Sequence, residues 1–282
     1  MSAEPSIAPD DPVHPDSVLF VTLDSCRFDT FAAATVPTMK SVSALYAAQA
    51  PSHFTYASHA AMFAGFTPGV ASLRRRFLNP KFARLFRLHS AGAPGLAKPG
   101  FEVAGRDIVD GFGRTGYRTI GTGAMRWFSG ATRISKTLTG SFAHFHFASR
   151  EGVATQVAWL QAQLAKAPQD KTFAFVNVGE THVPYHFAGA PWAFEDNPAV
   201  AFQEVDRAAD CRERQRLCCE YVDREIAPLV ARFRGATILL CGDHGDCWGE
   251  DGLWEHGISH PMTLTVPLLI RYRGTPVEQL QA

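Results

Sequence analysis

Residues 17–25 read SVLFVTLDS, a run of β-branched and large apolar residues that ends in polar ones. This pattern is typical of a buried parallel strand that leads into a binding site. Similar runs occur at 119–123, 171–180, 236–246 and 266–272, and helical patterns lie after Thr55 and at 105–116, 151–167 and 206–233. Strands that alternate with helices predict an α/β fold, a mostly parallel sheet sandwiched by helices.

The composition is that of a globular protein without excess charge. The 282 residues include 27 basic and 27 acidic side chains, and 46% are hydrophobic. This balance excludes the disordered, collagenous and strongly nucleic-acid-binding classes, because the chain can bury a full core and carries no global positive field. We expect one α/β domain over residues 17–282 and no nucleic-acid partner.

The first 16 residues, MSAEPSIAPDDPVHPD, are acidic and rich in proline, which predicts a flexible tail. They lack the basic start and apolar stretch of a signal peptide. No apolar run in the chain approaches the roughly 18 residues of a membrane span. We therefore expect a cytoplasmic protein without a membrane anchor, whose oligomeric state the sequence does not indicate.

Two further features leave alternatives open. The six cysteines have no regular spacing, which favours buried thiols over a disulfide framework or a zinc ribbon. Residues 71–100 combine basic side chains, concentrated in 71–87, with phenylalanines and end in a Gly/Pro/Ala-rich stretch. This segment is either a solvated surface insertion with a short amphipathic helix or a basic flap near an anionic substrate.

Three of the five predicted strands end in charged or metal-capable residues, one of them with Glu180 and His182. Asp24 ends the first strand, and Asp243 and His244 end the strand within 236–246. In open α/β sheets, ligands bind beyond the carboxyl ends of the strands. Carboxylate oxygens and imidazole nitrogens are ligands for Zn²⁺, Mn²⁺ and similar ions. The three residues therefore predict a divalent metal site at this edge of the sheet.

The order of motifs resembles the sulfatase branch of the alkaline phosphatase superfamily. The blocks that carry the resemblance are VLFVTLDSCRFD (18–29), FTYASHAAMFAGFTP (54–68), FAFVNVGETHVPY (173–185), CCEYVDREIAPL (218–229) and LLCGDHGDCWGEDGLWEHG (239–257), followed by VPLLIR. The resemblance implies a metal-dependent hydrolase or transferase of phosphate, phosphonate or sulfate esters that acts through a covalent intermediate. It also implies that Asp24, Asp243 and His244 bind the main metal ion. One ion is expected, and whether a second ion binds is left open.

By the same resemblance, Thr55 stands where the family has its nucleophile and would also be a metal ligand. Sulfatases carry an oxidisable Cys or Ser there, in a C/S-x-P-x-R pattern that this chain lacks. Threonine is what related phosphodiesterases, phosphonate hydrolases and phosphoethanolamine transferases use. Metal coordination and a helix N-terminus both favour the alkoxide of such a hydroxyl. Helix capping by Thr55 and attack by Ser58 are the alternatives.

Further roles are implied by position in the family blocks. His182 and His256 would contact the transferred group or donate a proton to the leaving oxygen, and His256 could instead bind a second ion. His260 and Arg27 are candidate substrate-binding residues, although Arg27 could equally pair with Asp29. For His182 and His256, the alternative is a structural role as a hydrogen-bonded histidine. Glu180 is expected to orient His182, and a structural role is expected for Asp223.

The sequence thus favours a metal-dependent hydrolase of small anionic phosphoric or phosphonic esters that forms a phospho-Thr55 intermediate. The alternatives are a phosphotransferase and a non-catalytic metal-binding module that recognises phosphoesters. Sulfatases continue beyond the VPLLIR strand into a further subdomain, whereas this sequence ends soon after it. We expect the cleft to be more open as a result.

Overall fold

The computed structural model describes residues 11–65, 86–89, 100–103, 106–200 and 203–279. The strands are β1 (Val18–Leu23), β2 (Tyr46–Gln49), β3 (Phe86–His89), β4 (Gly100–Val103), β5 (Arg118–Gly123), β6 (His144–Phe147), β7 (Thr172–Val178), β8 (Thr237–Gly242), β9 (Cys247–Trp248), β10 (Trp254–Glu255), β11 (Thr265–Tyr272) and β12 (Thr275–Pro276). The α-helices are α1 (Phe28–Ala33), α2 (Pro37–Lys40), α3 (Thr55–Ala64), α4 (Ile108–Arg114), α5 (Arg133–Thr139), α6 (Gly152–Ala165), α7 (Ala208–Glu225), α8 (Ala227–Arg232) and α9 (Pro261–Leu264). Short 3₁₀ turns cover Arg126–Phe128, Ser149–Glu151 and Glu250–Gly252.

A central sheet of eight strands organises the domain and confirms the predicted α/β class. Its order is β12-β11-β8-β1-β7-β5-β6, and β2 also pairs with β11. Strands β8, β1, β7, β5 and β6 are parallel to one another. Strand β1 lies between β7 and β8 in the middle of the sheet. The carboxyl ends of these three strands therefore meet at one edge.

The strand around VPLLIR departs from the parallel pattern. Strand β11 runs antiparallel to β8, β2 and β12. A parallel strand needs a crossover that returns the chain to the opposite edge of the sheet. The chain between β8 and β11 holds only the β9–β10 ribbon, a 3₁₀ turn and the four-residue helix α9. The connection therefore ends at the edge where β8 ends, and β11 runs back.

Two of the three hydrophobic clusters pack against the sheet, one on each face, and the third contains Tyr185 and Trp248. Along β1, Leu19, Val21 and Leu23 pack into an aliphatic cluster that includes the buried faces of α6, α7 and α8. Val18 and Phe20 point to the other face, into a cluster rich in phenylalanine. The alternation follows from the period of two in a strand, with helices covering both faces.

The predicted helices are present, and the longest is interrupted. The stretch 206–233 forms α7 and α8, which meet at Ile226, two residues before Pro228. Proline has no backbone N–H and clashes with the preceding turn, so it starts a new helix more easily than it continues one. All six cysteines lie within the described ranges, and they are buried and free.

The remaining sequence features are described only in part. In the predicted tail, residues 1–10 lie outside the described residues, whereas the N–H of Val13 donates to the carbonyl of Arg232 at 3.1 Å, and Asp16 pairs with Lys171 at 3.1 Å. Of the basic segment 71–87, only 86–87 lie within the described residues, in an antiparallel pairing of β3 with β4. Over the described part of the chain, no helix is both long enough and apolar enough to cross a membrane.

Candidate metal centre and active site

The carboxyl ends of β1 and β8 position the acidic residues of the site. The two strands are in parallel register, with Leu23 opposite Gly242, so the next residues, Asp24 and Asp243, lie side by side. Thr55 is the first residue of α3. The structure thus brings the predicted residues together although they are far apart in sequence.

Four side chains form a compact donor group. Ligand atoms of Asp24, Asp243 and His244 all lie within 4.8 Å of one another. His244 Nε2 is 3.7 Å from Asp24 Oδ1 and 3.7 Å from Asp243 Oδ2. The hydroxyl of Thr55 lies 3.4 Å from Asp24 Oδ1 and 3.4 Å from His244 Nε2. All four residues are buried.

The electrostatics of this group fit a divalent cation. Asp243 Oδ1 accepts hydrogen bonds from two backbone N–H groups, whereas Oδ2 is buried and has no hydrogen-bond partner among the described residues. Burial, followed by the charge of Asp24, raises the pKa of Asp243 well above its usual range. Burial also lowers the pKa of His244 to about 4, so the imidazole is neutral near pH 7. Two crowded carboxylates and a neutral imidazole are what a Zn²⁺ or Mn²⁺ ion would require.

The backbone sets the tautomers of His182 and His244. In His182 and in His244, Nδ1 lies 2.8 Å and 3.0 Å from the carbonyl of the following residue, which can only accept. Nδ1 therefore carries the proton, and Nε2 is the free nitrogen of each ring. His182 Nε2 is 4.0 Å from Asp24 Oδ1. The structure therefore places His182 beside the donor group.

His256 completes a group of three imidazoles. Its ring centroid lies 5.0 Å from that of His182 and 4.6 Å from that of His244. Its Nδ1 is 2.8 Å from Asp246 Oδ1. Burial disfavours protonation of His256, but the hydrogen bond to Asp246 and that residue's charge outweigh it, so the pKa of His256 is raised above its usual value. Ligand atoms of His244, Asp246 and His256 also lie within 4.8 Å of one another, which is the spacing of a second cation site.

Three residues that support Asp24 and Thr55 were not identified from the sequence. Asn177 Nδ2 donates to Asp24 Oδ2 at 3.1 Å, and the Thr181 hydroxyl donates to the Asp24 carbonyl at 2.6 Å. His59 is fully buried, and its Nδ1 donates to the Thr55 carbonyl at 2.8 Å. Asn177 carried a usable signal, because an amide inside an otherwise apolar, fully buried strand requires a polar partner.

Arg27 is buried, with 1% of its surface exposed. Its guanidinium contacts Asp29 and Glu250, each at 2.7 Å, and stacks over Trp248 at 4.1 Å from the ring centroid. Of the two roles left open by the sequence, these contacts favour pairing with Asp29. Its contacts join the loop after β1 to β9 and the turn that follows.

His260 is placed outside the donor group. Its Nε2 lies 3.2 Å from Asp251, and its Nδ1 accepts the N–H of Met262, which caps α9. It lines a separate cavity of about 390 Å³ between β2 and α9. Among the contacts of the described residues, none joins His260 to the metal-donor side chains.

The acidic residues and Ser58 hold backbone in place. Glu180 was expected to orient His182, but its Oε1 accepts the N–H of Val153 at 2.6 Å, at the start of α6. Asp223 accepts two backbone N–H groups at the start of α2, the structural role that was expected. The hydroxyl of Ser58 donates to the carbonyl of Ser52 at 3.1 Å. Of the two candidate nucleophiles, Thr55 is the one that contacts the donor group.

Comparisons with known proteins bear on the fold. No protein-family model and no curated protein matches the chain. The C-terminal periplasmic domain of EptC from Escherichia coli, solved in complex with Zn, matches with a TM-score of 0.62 and 14% identity over 94% of this chain and 77% of that one. The same domain of the phosphoethanolamine transferase EptC from Campylobacter jejuni matches with a TM-score of 0.58 and 14% identity over 94% of this chain and 81% of that one.

Two other solved structures match at similar levels. The phosphonate monoester hydrolase of Agrobacterium radiobacter has a TM-score of 0.58 and 15% identity, covering 94% of this chain and 70% of that one. An alkaline phosphatase superfamily protein from Vibrio parahaemolyticus has a TM-score of 0.52 and 12% identity, covering 98% and 66%. The domain therefore has the fold of the alkaline phosphatase superfamily, as the ordered sequence blocks implied.

Proposed function

We propose that the protein is a metal-dependent hydrolase of phosphoric or phosphonic esters in which Thr55 is the nucleophile. The observation that carries this proposal is the position of the Thr55 hydroxyl, 3.4 Å from both Asp24 Oδ1 and His244 Nε2. A hydroxyl buried against two metal-capable side chains at a helix N-terminus is set up to lose its proton. The enzymes that neighbouring structures are named for, a phosphoethanolamine transferase and a phosphonate monoester hydrolase, support chemistry at phosphorus.

In this proposal Asp24, Asp243 and His244, with Thr55 Oγ1, hold one divalent ion, Zn²⁺ or Mn²⁺. When bound, the ion supplies positive charge that favours the Thr55 alkoxide and offsets negative charge on the phosphoryl oxygens. Asn177 fixes one oxygen of Asp24 by donating to it at 3.1 Å, which leaves the other oxygen for the ion. His244 is held with Nε2 free because its Nδ1–H donates to the backbone.

The side chains of the site then carry out two successive displacement reactions at phosphorus. The oxygen of Thr55 bonds to phosphorus while the bond to the leaving oxygen breaks, and His256 or His182, in its imidazolium form, gives that oxygen the proton on Nε2. Water next attacks the phospho-Thr55 group and gives its proton to the imidazole that lost one, and the Thr55 oxygen departs as the alkoxide. The partner in this reaction is a small anionic ester. A cytoplasmic location remains a prediction, and the EptC neighbours are periplasmic domains.

The single experiment that tests the function combines metal analysis with an ester panel. Purified protein is assayed on matched aryl phosphate monoesters, phosphate diesters, phosphonate monoesters and sulfates, with and without a chelator. Thr55→Ala should abolish turnover, whereas Ser58→Ala removes a buried hydroxyl from the same helix and should leave turnover largely intact. Metal-loaded protein that binds the esters without turning any over would instead support the non-catalytic module.

A phosphotransferase is the second candidate, favoured by the likeness to the EptC domains. The phospho-Thr55 group would then pass to an acceptor alcohol, with the alcohol's proton released. Products formed in a water–alcohol mixture distinguish the two. Ester products far above the alcohol's mole fraction would indicate a transferase, and free phosphate or phosphonate as the main product supports the hydrolase.

A further inference from the structure

We propose that Asp246, held in place by Tyr185 and Trp248, is a positioning residue that fixes the tautomer and orientation of His256 toward the leaving group. This inference rests on the proposed function for its catalytic meaning. The hydrogen-bond chain that supports it runs from Trp248 to His256 and does not include Thr55.

The direction of every hydrogen bond in this chain is determined by chemistry. The indole N–H of Trp248 can only donate, and it donates to the hydroxyl oxygen of Tyr185 at 2.7 Å. The Tyr185 hydroxyl donates its own proton to Asp246 Oδ2 at 2.7 Å. Asp246 Oδ1 must then accept from His256 Nδ1, at 2.8 Å. His256 is left with Nε2 as its free nitrogen, beside the rings of His182 and His244.

Burial shows which end of the chain faces the substrate. The side chains of Asp246 and Tyr185 are fully buried, and 2% of the surface of Trp248 is exposed. His256 is the outer end, with 21% of its side chain exposed. A buried carboxylate is costly unless both oxygens are hydrogen-bonded, and both oxygens of Asp246 are. The network is therefore rigid at its buried end and presents one imidazole to the cleft.

Arg27 makes the same network stiffer. Its guanidinium stacks on Trp248 at 4.1 Å and donates to the backbone carbonyl of Asp246 at 3.3 Å. It also pairs with Glu250, the turn residue that accepts the backbone N–H of Trp248. Arg27 and Glu250 thus hold both the Trp248 side chain and the backbone of the segment 246–248.

The competing role for Asp246 is that of a ligand. Asp246, His244 and His256 have the spacing of a cation site. In this structure, however, Tyr185 and His256 already occupy the two oxygens of Asp246. A carboxylate that accepts the Nδ1–H of a functional histidine typically acts through that histidine. Metal stoichiometry separates the two roles.

The decisive variant is Asp246→Asn. The Tyr185 hydroxyl donates to Oδ2 of Asp246, so in the variant the amide oxygen should take that position and accept from Tyr185. The amide NH₂ should then face His256. Nδ1 would then have to accept, and the proton of the neutral imidazole would move to Nε2. ¹⁵N NMR of the zinc-loaded protein, at a pH where His256 is neutral, should show Nδ1–H in the wild type and Nε2–H in the variant. A His256→Gln sample assigns the signal among the 11 histidines of the chain.

Kinetics give the second readout. Asp246→Asn should lower kcat by about 10- to 100-fold more on an alkyl ester, whose leaving oxygen is basic, than on an activated aryl ester, with KM nearly unchanged. Tyr185→Phe keeps the carboxylate and should show the same trend with a smaller loss. Asp223→Asn is the matched control, since it alters another buried carboxylate that accepts two donors, here backbone N–H groups at the start of α2. It should reduce thermal stability without changing the leaving-group dependence.

The outcomes separate this inference from the proposed function. An unchanged His256 tautomer in Asp246→Asn, or equal kcat losses on both esters in both variants, would overturn the positioning role while leaving an active esterase. A fall from two bound ions to one in Asp246→Asn would overturn it in favour of ligation. If no ester is turned over, the proposed function fails, and the NMR result alone decides whether Asp246 sets the tautomer of His256.

Discussion

Replacing Asp243 by Asn should have opposite effects on stability in the absence and presence of metal. Without metal, the wild-type protein buries two carboxylates whose ligand atoms lie within 4.8 Å of one another. In the Asp243→Asn variant, the amide oxygen would keep the hydrogen bonds from the N–H groups of Ser25 and His244, at 3.1 Å and 2.9 Å in the wild type. The amide NH₂ would replace the partnerless oxygen and can donate to Asp24. The substitution therefore removes a repulsion and loses no backbone hydrogen bond.

The size of the effect follows from the geometry. At 4.8 Å, the upper limit of this spacing, two unit charges repel by about 3.5 kcal/mol at an effective dielectric constant of about 20. The raised pKa of Asp243, caused first by burial and then by the charge of Asp24, means that partial protonation already relieves some of this cost. We expect Asp243→Asn to stabilise the metal-free protein by about 1–3 kcal/mol. At a metal concentration about 1,000 times Kd the wild type gains about 4 kcal/mol, and the variant should lose most of that gain.

Chemical denaturation in a chelator and in excess metal measures both effects. Asp223→Asn is the control, because both of its carboxylate oxygens accept backbone N–H groups and the amide must leave one of them unpaired. It should destabilise the protein equally in both conditions. Destabilisation by Asp243→Asn in the chelator, combined with an undiminished gain from metal, would refute the assignment of Asp243 as a charged ligand.

Three further outcomes are expected. Phosphorus esters should be turned over much faster than matched sulfates, because water must attack the central atom directly to break a Thr55 intermediate, whereas a formylglycine hydrate can expel sulfate. Comparison of kcat/KM values tests this, and a higher rate on the sulfate would contradict it. Asn177→Ala should weaken metal affinity by about 10- to 100-fold, because the hydrogen bond to Asp24 is lost. Competition with a chelating dye measures this affinity, and an unchanged value would argue against a supporting role for Asn177. Arg27→Ala should lower the free energy of unfolding by about 2–3 kcal/mol, which is less than the loss of a fully buried pair because Asp29 and Glu250 keep contact with water. The metal content of this variant should equal that of the wild type. If Arg27 binds the substrate anion, the variant should instead show a raised KM with little loss of stability.

The sequence predicted the fold class because the strand patterns are local and strong. Five apolar runs separated by helical stretches indicated a mostly parallel sheet, and the structure confirms it. The antiparallel direction of β11 was not predictable from its own residues, since a buried strand looks the same in either direction. Its direction depends on the short connection from β8. Pro228, which follows the break between α7 and α8, was visible in the sequence, but the strong helical pattern on both sides of it masked the break.

Within the candidate site, the sequence could place residues at strand ends but could not choose their partners. Asp24, Asp243 and His244 were identifiable because parallel strands bring their carboxyl ends to one edge. The roles of Arg27, Glu180 and His260 depended on neighbours that only the folded chain supplies. Arg27 meets Glu250 across 223 positions of sequence.

What the sequence by itself determined is therefore part of the periodic structure: strands β1, β5, β7, β8 and β11, the helical stretches of α3, α4, α6 and α7–α8, and the polar residues that stand where strands end. The tertiary structure alone decided which buried polar groups satisfy one another. Asp246 lies two residues after His244 and looks like any polar loop residue in the sequence. It becomes the partner of His256 and Tyr185 only when β9 and the loop after β7 pack together. Hydrogen-bond partners of buried groups are set by three-dimensional proximity, and a local sequence pattern carries no information about that proximity.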